Sequence, residues 1–264
     1  MKFSPELSET RLQAVIFDVD GTLADTERNG HRVAFNQAFK EFQLDWHWSS
    51  EAYGEWLAVA GGKERIRFYL QRHAPELLRQ NDTEAWIARV HQRKSEIYSE
   101  RVQAGAISLR PGVARLIREL KENGIRLAIA TTTSRSSLDS LITANFHCAT
   151  AALFEAIGAG DAFAHKKPAP DVYQWVLQQL QLPPTACLAI EDSSLGCLAA
   201  RAADLPTLIT INAYTAGDVF KDALSIVSDL GEPHAAARHL GGCPLAGSCV
   251  DVAQLRTWHQ SSQA

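Results

Sequence analysis

Cysteine is scarce in this chain of 264 residues and follows no pattern. Cys148, Cys187, Cys197, Cys243 and Cys249 make an odd set of five with no C-x-x-C pair. That argues against a disulfide framework and for a reducing, cytoplasmic compartment. No apolar run approaches the length of a membrane span. The opening residues Met1-Lys2-Phe3-Ser4-Pro5-Glu6 carry no apolar h-region, so neither a membrane anchor nor a secretory signal is expected. A dominant charge is lacking too: 26 basic against 30 acidic side chains leave a formal net charge of -4. So weak an acidic excess gives no support for nucleic acid or a membrane surface as partner. Internal repeats and low-complexity segments are absent. What remains is an ordinary hydrophobic fraction of 46%, enough for one large domain or two modest ones with ample core.

Against that plain background one stretch stands out. Ala14-Val15-Ile16-Phe17 reads as a buried strand, and Asp18-Val19-Asp20-Gly21-Thr22 follows directly. Gly21 frees the backbone to turn. Asp18 and Asp20 then stand at the carboxyl end of a buried strand, where open α/β sheets place their ligands. Two carboxylates so close repel unless a cation or a shared proton relieves them, and oxygen donors suit a hard ion such as Mg2+. An apolar run ending in Asp and Gly is also how a strand enters an ordinary turn. A calcium loop is excluded, because its glycine belongs at the sixth position and Gly21 is fourth from Asp18.

Beyond Asp25 the pattern turns helical as far as about Val102. Ala34, Ala38 and Phe42, flanked by Phe35 and Phe39, make one stripe; Ile66, Tyr69, Leu70, Ala74 and Leu77 another; Trp86, Ile87, Val90, Ile97 and Tyr98 a third. Together they predict a small helical bundle inserted after the first strand. Alternating elements resume near Leu109: strands at Ile125–Ala130, Phe154–Ile157, Cys187–Ile190, Thr207–Ile211 and, weakly, Ser225–Val227, with helical faces between them. The fold expected is α/β, a Rossmann-like, mostly parallel sheet with helices on both faces plus an inserted α-helical cap. The boundaries expected are 1–23 and 108–231 for the core, 24–107 for the cap and 232–264 for a C-terminal extension. In the extension, the spacing of His234, His239, Cys243 and Cys249 matches no common zinc pattern. A polar extension packed on the core is expected instead.

Three further positions complete a candidate site. Thr131-Thr132-Thr133-Ser134 ends one strand and opens a helix; its hydroxyls and N–H groups would hold an anion, or merely cap the helix. Lys167, within Lys166-Lys167-Pro168, would set a fixed positive charge against a phosphoryl group, although such a string is common on surfaces. Glu191-Asp192 ends a second buried strand with paired acids, one able to reach a metal while the other orients it. As chemistry the set is coherent. Asp18 would accept a phosphoryl group as nucleophile, and Asp20 would serve as general acid and then base. Mg2+ would sit among Asp18, the Asp20 backbone carbonyl and Asp192, with Glu191 adjacent. Lys167 and Thr131 would balance the charge in transit.

These motifs, in this order from Asp18 to Asp192, resemble those of the haloacid dehalogenase superfamily, in the branch with a helical cap. Asp20 is the mark of the phosphatases and phosphomutases within it. Ala24-Asp25-Thr26-Glu27, Gly30-His31-Arg32, Ala34-Phe35-Asn36, Gly61-Gly62-Lys63-Glu64-Arg65 and Ala130-Thr131-Thr132-Thr133-Ser134 narrow the likeness to CbbY-type phosphatases. The resemblance implies a Mg2+-dependent phosphoric monoester hydrolase acting on xylulose 1,5-bisphosphate or a similar sugar bisphosphate. It implies a small phosphorylated sugar as partner, and a monomer is expected. Gly62 and its N–H neighbours at a helix start, with Lys63 and Arg65, would hold a second phosphate. Glu27 and His31 would meet sugar hydroxyls, with Thr132, Thr133 and Ser134 facing the substrate. A β-phosphoglucomutase-like mutase would share every core residue, and a non-catalytic phosphosugar binder would not need the nucleophile.

Overall fold

In the computed structural model, Ala14–Phe17 forms β1, four residues with no solvent exposure. Alternate side chains of a strand leave opposite faces of a sheet, and here both faces are covered. Val15 and Phe17 join one apolar cluster, Ala14 and Ile16 another. Such two-sided burial is the condition under which a parallel sheet forms. The structure describes residues 11–79 and 81–263; the opening segment read above for a secretory signal lies outside them.

β1 lies at the centre. It pairs in parallel with β2 (Arg126–Ala130) on one side and β4 (Cys187–Glu191) on the other, Phe17 lying level with Ile129 and Ile190. Outward lie β3 (Ala156–Gly158) beside β2, β5 (Thr207–Thr210) beside β4, and β6 (Ser225–Val227) beside β5. A seventh strand, β7 (His239–Gly242), closes the far edge antiparallel to β6. The sequence reading assigned no strand there, because His239-Leu240-Gly241-Gly242 has neither alternation nor β-branched residues. Its pairing comes from tertiary context. The strand expected at Phe154–Ile157 begins two residues later, after a turn of helix at Thr150–Leu153.

Between β1 and β2 the chain forms α1 (Arg32–Glu41), α2 (Ser50–Trp56), α3 (Gly62–His73), α4 (Thr83–Gln103) and α5 (Val113–Glu122). The first four gather around their own cluster of Phe35, Phe39, Trp48, Tyr53, Trp56, Ile66 and Leu70. The chain leaves the sheet and returns through one doorway, where Ala24 bridges antiparallel to Leu109. After β2 follow α6 (Arg135–Phe146), the short α7 (Thr150–Leu153), α8 (Asp171–Leu180), α9 (Ser194–Ala202) and α10 (Val252–Ser261). α5, α6 and α10 cover the Val15/Phe17 face, α8 and α9 the other.

The segment beyond residue 231 is built into the sheet. Val250, Val252, Leu255 and Trp258 are buried in the main cluster, and Trp258 donates through Nε1 to Pro244 O at 3.1 Å. Arg115 Nη2 on α5 binds the carbonyls of Leu230, Gly231 and Val250, each at 3.0 Å. Trp258→Ala should therefore lower stability by about 3–5 kcal/mol, the usual loss for a large buried aromatic. Urea unfolding measures it; a change under 1 kcal/mol would show the segment to be an appendage.

Candidate active site

The carboxyl ends of β1, β2 and β4 open side by side. Asp18 continues the ladder one residue past β1, its N–H donating to Ile190 O at 2.9 Å. Asp192 follows β4 directly. Carboxylate oxygens of Asp18, Glu191 and Asp192 lie within 4.8 Å of one another, all three residues buried. One ammonium serves two of them: Lys167 Nζ donates to Asp18 Oδ1 at 2.6 Å, Glu191 Oε1 at 2.5 Å and Ala130 O at 2.9 Å. Tyr173 Oη donates to the same Glu191 oxygen at 2.6 Å, and the Asp192 N–H donates to Glu191 Oε2 at 3.2 Å.

The balance of charge is negative, and it shows. Burial, then the neighbouring acids Glu191 and Asp20, push the Asp18 carboxyl well above its ordinary range despite Lys167. Burial, then Asp18 and Glu191, do the same to Asp192. Burial draws Lys167 down, but Asp18 and Glu191 outweigh it and hold the ammonium charged. Three buried carboxylates against one ammonium, all oxygen donors, fit a hard divalent cation that would return the acids to their ionised form. Gly21, at φ 88°, permits this packing: a Cβ there would collide with the Asp192 carboxylate and Asn212 Nδ2.

Asp20 faces the helices. Its Oδ1 accepts from Thr26 Oγ1 at 2.6 Å and His31 Nε2 at 2.9 Å, and its Oδ2 accepts from Thr133 Oγ1. Burial raises this carboxyl, but His31 together with the hydroxyls of Thr133 and Thr26 outweighs burial and holds it below its ordinary value. His31 ends a turn of π-helix, Glu27–His31, closed by Arg32 N–H on Glu27 O. Its ring stacks on Tyr98 at 4.1 Å, and its Nδ1 lies 2.8 Å from Lys94 Nζ on α4. An ammonium can only donate, so Nδ1 accepts and Nε2 carries the proton toward Asp20. Lys94 is buried over the rings of Phe35 and Tyr98. Burial, only partly offset by Glu27 and Asp20, brings its pKa down to about 8.

A second polar knot lies beside it. Tyr53 Oη donates to Glu27 Oε2 at 2.5 Å, Arg65 Nη1 donates to Tyr53 Oη at 2.6 Å, and the guanidinium lies 5.1 Å over the Tyr53 ring. Between this knot and the strand ends is a cavity of about 330 Å3, lined among others by Asp18, Asp20, Glu27, Arg65, Lys167 and Asp192. A smaller one of about 50 Å3 adjoins it and meets His31, Gly61, Gly62, His91, Lys94 and Thr132 to Ser134.

The expected residues do not all converge. Asp18, Asp20, Glu27, Arg65, Thr132, Lys167 and Asp192 line the larger cavity; His31, Gly62, Thr133 and Ser134 line the smaller. Glu191 lies behind the wall with no exposure, its oxygens committed to Lys167, Tyr173 and the Asp192 N–H. Thr131 lines neither cavity; its Oγ1 accepts the Thr133 N–H at 3.1 Å and shapes the loop. Lys63, half-buried on the first turn of α3, lines neither as well. Arg65 was expected as a phosphate cation, yet it is already tied to Glu27 and Tyr53. Sequence reasoning missed Tyr53, Lys94, Asn212 and Tyr214. Lys94 is a charge placed inside an apolar helical stripe, and that was the one readable signal among them. Among the described residues, Asp18, Glu191 and Asp192 bring carboxylate oxygens close enough for one metal ion, Asp18 and Asp192 being the two that line the cavity; the four His and Cys residues of the extension form no such group. No helix among them is long and apolar enough to cross a membrane.

An aspartate at the end of the central strand, a lysine across from it, a second acid pair on the next strand and a helical insert over them define a hydrolase of the haloacid dehalogenase type. The model of the haloacid dehalogenase-like hydrolases matches residues 12–204, and the chain belongs to that family, as one of its phosphatases. Within it, the chain is 48% identical over 252 residues to the protein CbbY of Cupriavidus necator, covering 95% of this chain and 98% of that one. It is 50% identical to CbbY of Rhodobacter capsulatus, covering 83% and 94%. Among solved structures, a CbbY mutant from Rhodobacter sphaeroides in complex with xylulose 1,5-bisphosphate superposes with a TM-score of 0.78 at 40% identity, covering 84% of this chain and 96% of that one.

The buried Lys94 makes a test. Its pKa is about 8 folded against an ordinary 10.5, so its burial opposes folding at pH values below about 8 and stops doing so as pH rises through 10.5. Lys94→Met should raise stability at pH 7, by up to about 3 kcal/mol, while slowing turnover through loss of the His31 contact. The stability gain should vanish above pH 10.5. Urea unfolding at the two pH values, with parallel rate assays, checks both halves; equal stability at pH 7 would mean that the site stabilises the ammonium.

Proposed function

We propose that the protein is a Mg2+-dependent phosphatase of a small sugar bisphosphate, of which xylulose 1,5-bisphosphate is the leading candidate, and that it works through an aspartyl-phosphate on Asp18. One observation carries this: Asp18 stands between Lys167 and Asp192 on one side and Asp20 on the other, at the floor of a cavity roofed by helices. The bound bisphosphate in the Rhodobacter sphaeroides relative supports the substrate class. In this scheme residues 24–107 act as a cap, 1–23 with 108–231 as the core and 232–264 as an extension. The five unpaired cysteines support a cytoplasmic, reducing setting.

The work divides by position. Asp18 attacks phosphorus while Lys167 holds one of its oxygens and neutralises a phosphoryl oxygen. Glu191 and Tyr173 fix Lys167 from behind. Asp20 starts as a base. A phosphoryl anion arriving beside it raises its proton affinity, so that it takes up a proton from solvent, gives that proton to the leaving oxygen and later takes one from the attacking water, ending protonated as it began the transfer. Thr26, Thr133 and the Lys94–His31 pair orient it for both steps. Mg2+ held by Asp18, the Asp20 carbonyl and Asp192 would supply further charge neutralisation on the transferring group. The second phosphate would occupy the smaller cavity, against Gly61, Gly62 and the Thr132–Ser134 loop. Arg65 and Lys94 are the nearby cations, and Lys63 lies outside.

Four measurements decide this. A panel of sugar mono- and bisphosphates, assayed for phosphate release with Mg2+, should show a bisphosphate as best substrate; a rearranged monophosphate would mean a mutase instead. Asp18→Asn should abolish release with the fold intact, and EDTA should do so reversibly; full activity of the variant would refute the aspartyl route, and full activity in EDTA would refute the need for Mg2+. Arg65→Ala should lower kcat/KM on the bisphosphate by about ten- to a hundredfold, the contribution of a charge-assisted contact. On p-nitrophenyl phosphate the loss should be far smaller, and equal losses would mean that Arg65 is structural.

A further inference from the structure

The loop after β5 has no part in the chemistry above, yet it touches both walls of the cavity. Asn212 is its hub. Its Nδ2 donates to Asp192 Oδ2 at 2.5 Å, and its Oδ1 accepts the N–H groups of Tyr214 at 2.8 Å and Thr215 at 3.3 Å. Its own N–H donates to Thr215 Oγ1 at 3.0 Å. One step earlier, Arg110 binds the carbonyls of Thr210, at 2.9 Å, and Ile211. Residues 210 to 215 are thus anchored on the sheet side.

From that base Tyr214 crosses to the helices. Its ring meets Tyr53 edge-on, centroids 6.1 Å apart, and packs on the aromatic cluster of α1 to α4. Gly54 leaves the space it needs: a Cβ there would come to 3.2 Å from Tyr214 Cδ1. The Tyr214 hydroxyl is buried with no hydrogen-bond partner among the described residues, so the contact is made by the ring. Tyr53, on its far side, holds Glu27 and Arg65. A residue of the sheet domain therefore abuts the one side chain that organises the polar roof of the cavity.

We infer that Tyr214 is a positioning residue: anchored through Asn212 beside Asp192, its ring seats Tyr53, and with it the Glu27–Arg65 pair, over Asp18. This rests on the phosphatase assignment above only for its kinetic half. Without the ring α2 loses its stop, and the Tyr53 hydroxyl is no longer fixed relative to the nucleophile. The loop would then report cap docking directly to the carboxylate that Asn212 holds.

The test compares Tyr214→Ala, Tyr214→Phe, Tyr53→Phe and the Tyr214→Ala/Tyr53→Phe double variant. Hydrogen exchange over Ser50–Trp56 and kcat/KM on xylulose 1,5-bisphosphate are measured for each. Tyr214→Ala should speed exchange in Ser50–Trp56 and leave β1 and β4 protected, and should lower kcat/KM by about three- to tenfold, the scale of one aromatic contact. Tyr53→Phe should cost less in the Tyr214→Ala background than alone. Tyr214→Phe should match the parent in both readouts. Gly54→Val, which wedges the same seam from the other side, should reproduce the exchange change if the alanine variant folds poorly. Unchanged exchange, strictly additive losses, or a phenylalanine variant that fails would overturn the assignment, the last by showing that the hydroxyl itself acts. If the parent releases no phosphate from xylulose 1,5-bisphosphate, the substrate proposal fails, and exchange alone still decides for or against Tyr214.

Discussion

Two buried carboxylates share one ammonium beside a third, and most of this structure follows from the need to keep them there. Like charges taken out of water are expensive unless they are paired and hydrogen-bonded. Lys167 reaches Asp18, Glu191 and the Ala130 carbonyl with its three donors, so its geometry is saturated. That fixes the distance between the strand ends and the loop before α8. On the function proposed above, a divalent cation would supply the charge that Lys167 leaves uncompensated, and the repulsion among the acids would be relieved on binding it.

Asp20 obeys the opposite logic. It is over-provided with donors, three of them through Thr26, His31 and Thr133. Two carboxylates separated by one residue thus sit in environments that push their proton affinities in opposite directions, the pattern that the proposed division into nucleophile and proton carrier would need. The separation depends on which way each faces. Asp18 points at the lysine of the sheet domain, and Asp20 at the helices, where a buried lysine supports it through His31.

How much of this was legible follows from where each residue lies. Asp18, Asp20 and Asp192 announce themselves because strand ends are visible as apolar runs followed by charge, and a parallel sheet gathers its strand ends automatically; Lys167, in the loop before α8, is a weak string by itself and gains weight only from its order among the other motifs. The helices of the insert were visible by period. Tyr53, Asn212 and Tyr214 were not, because each gains its role from a contact across the cavity, and no local pattern distinguishes them from core aromatics or turn formers. Lys63 and Arg65 show the converse. They share a turn, but a helix start puts residues two apart on different sides, so proximity in sequence gave Lys63 a place at the cavity that the structure does not. β7 was hidden because a glycine-rich edge strand carries no β signal of its own.

The antiparallel bridge between Ala24 and Leu109 has a broader meaning. The entire helical insert leaves and re-enters at nearly one point, while Ala34, Ala38, Ile97, Tyr98 and Val102 on its inner side join the main apolar cluster. Because the entropy of joining two ends depends weakly on what hangs between them once they are tied together, the parts of the insert that face away from that cluster are free to change in size and sequence with little penalty to the sheet. A lineage could therefore replace the roof, and with it the class of molecule admitted, while the phosphoryl chemistry beneath stays untouched.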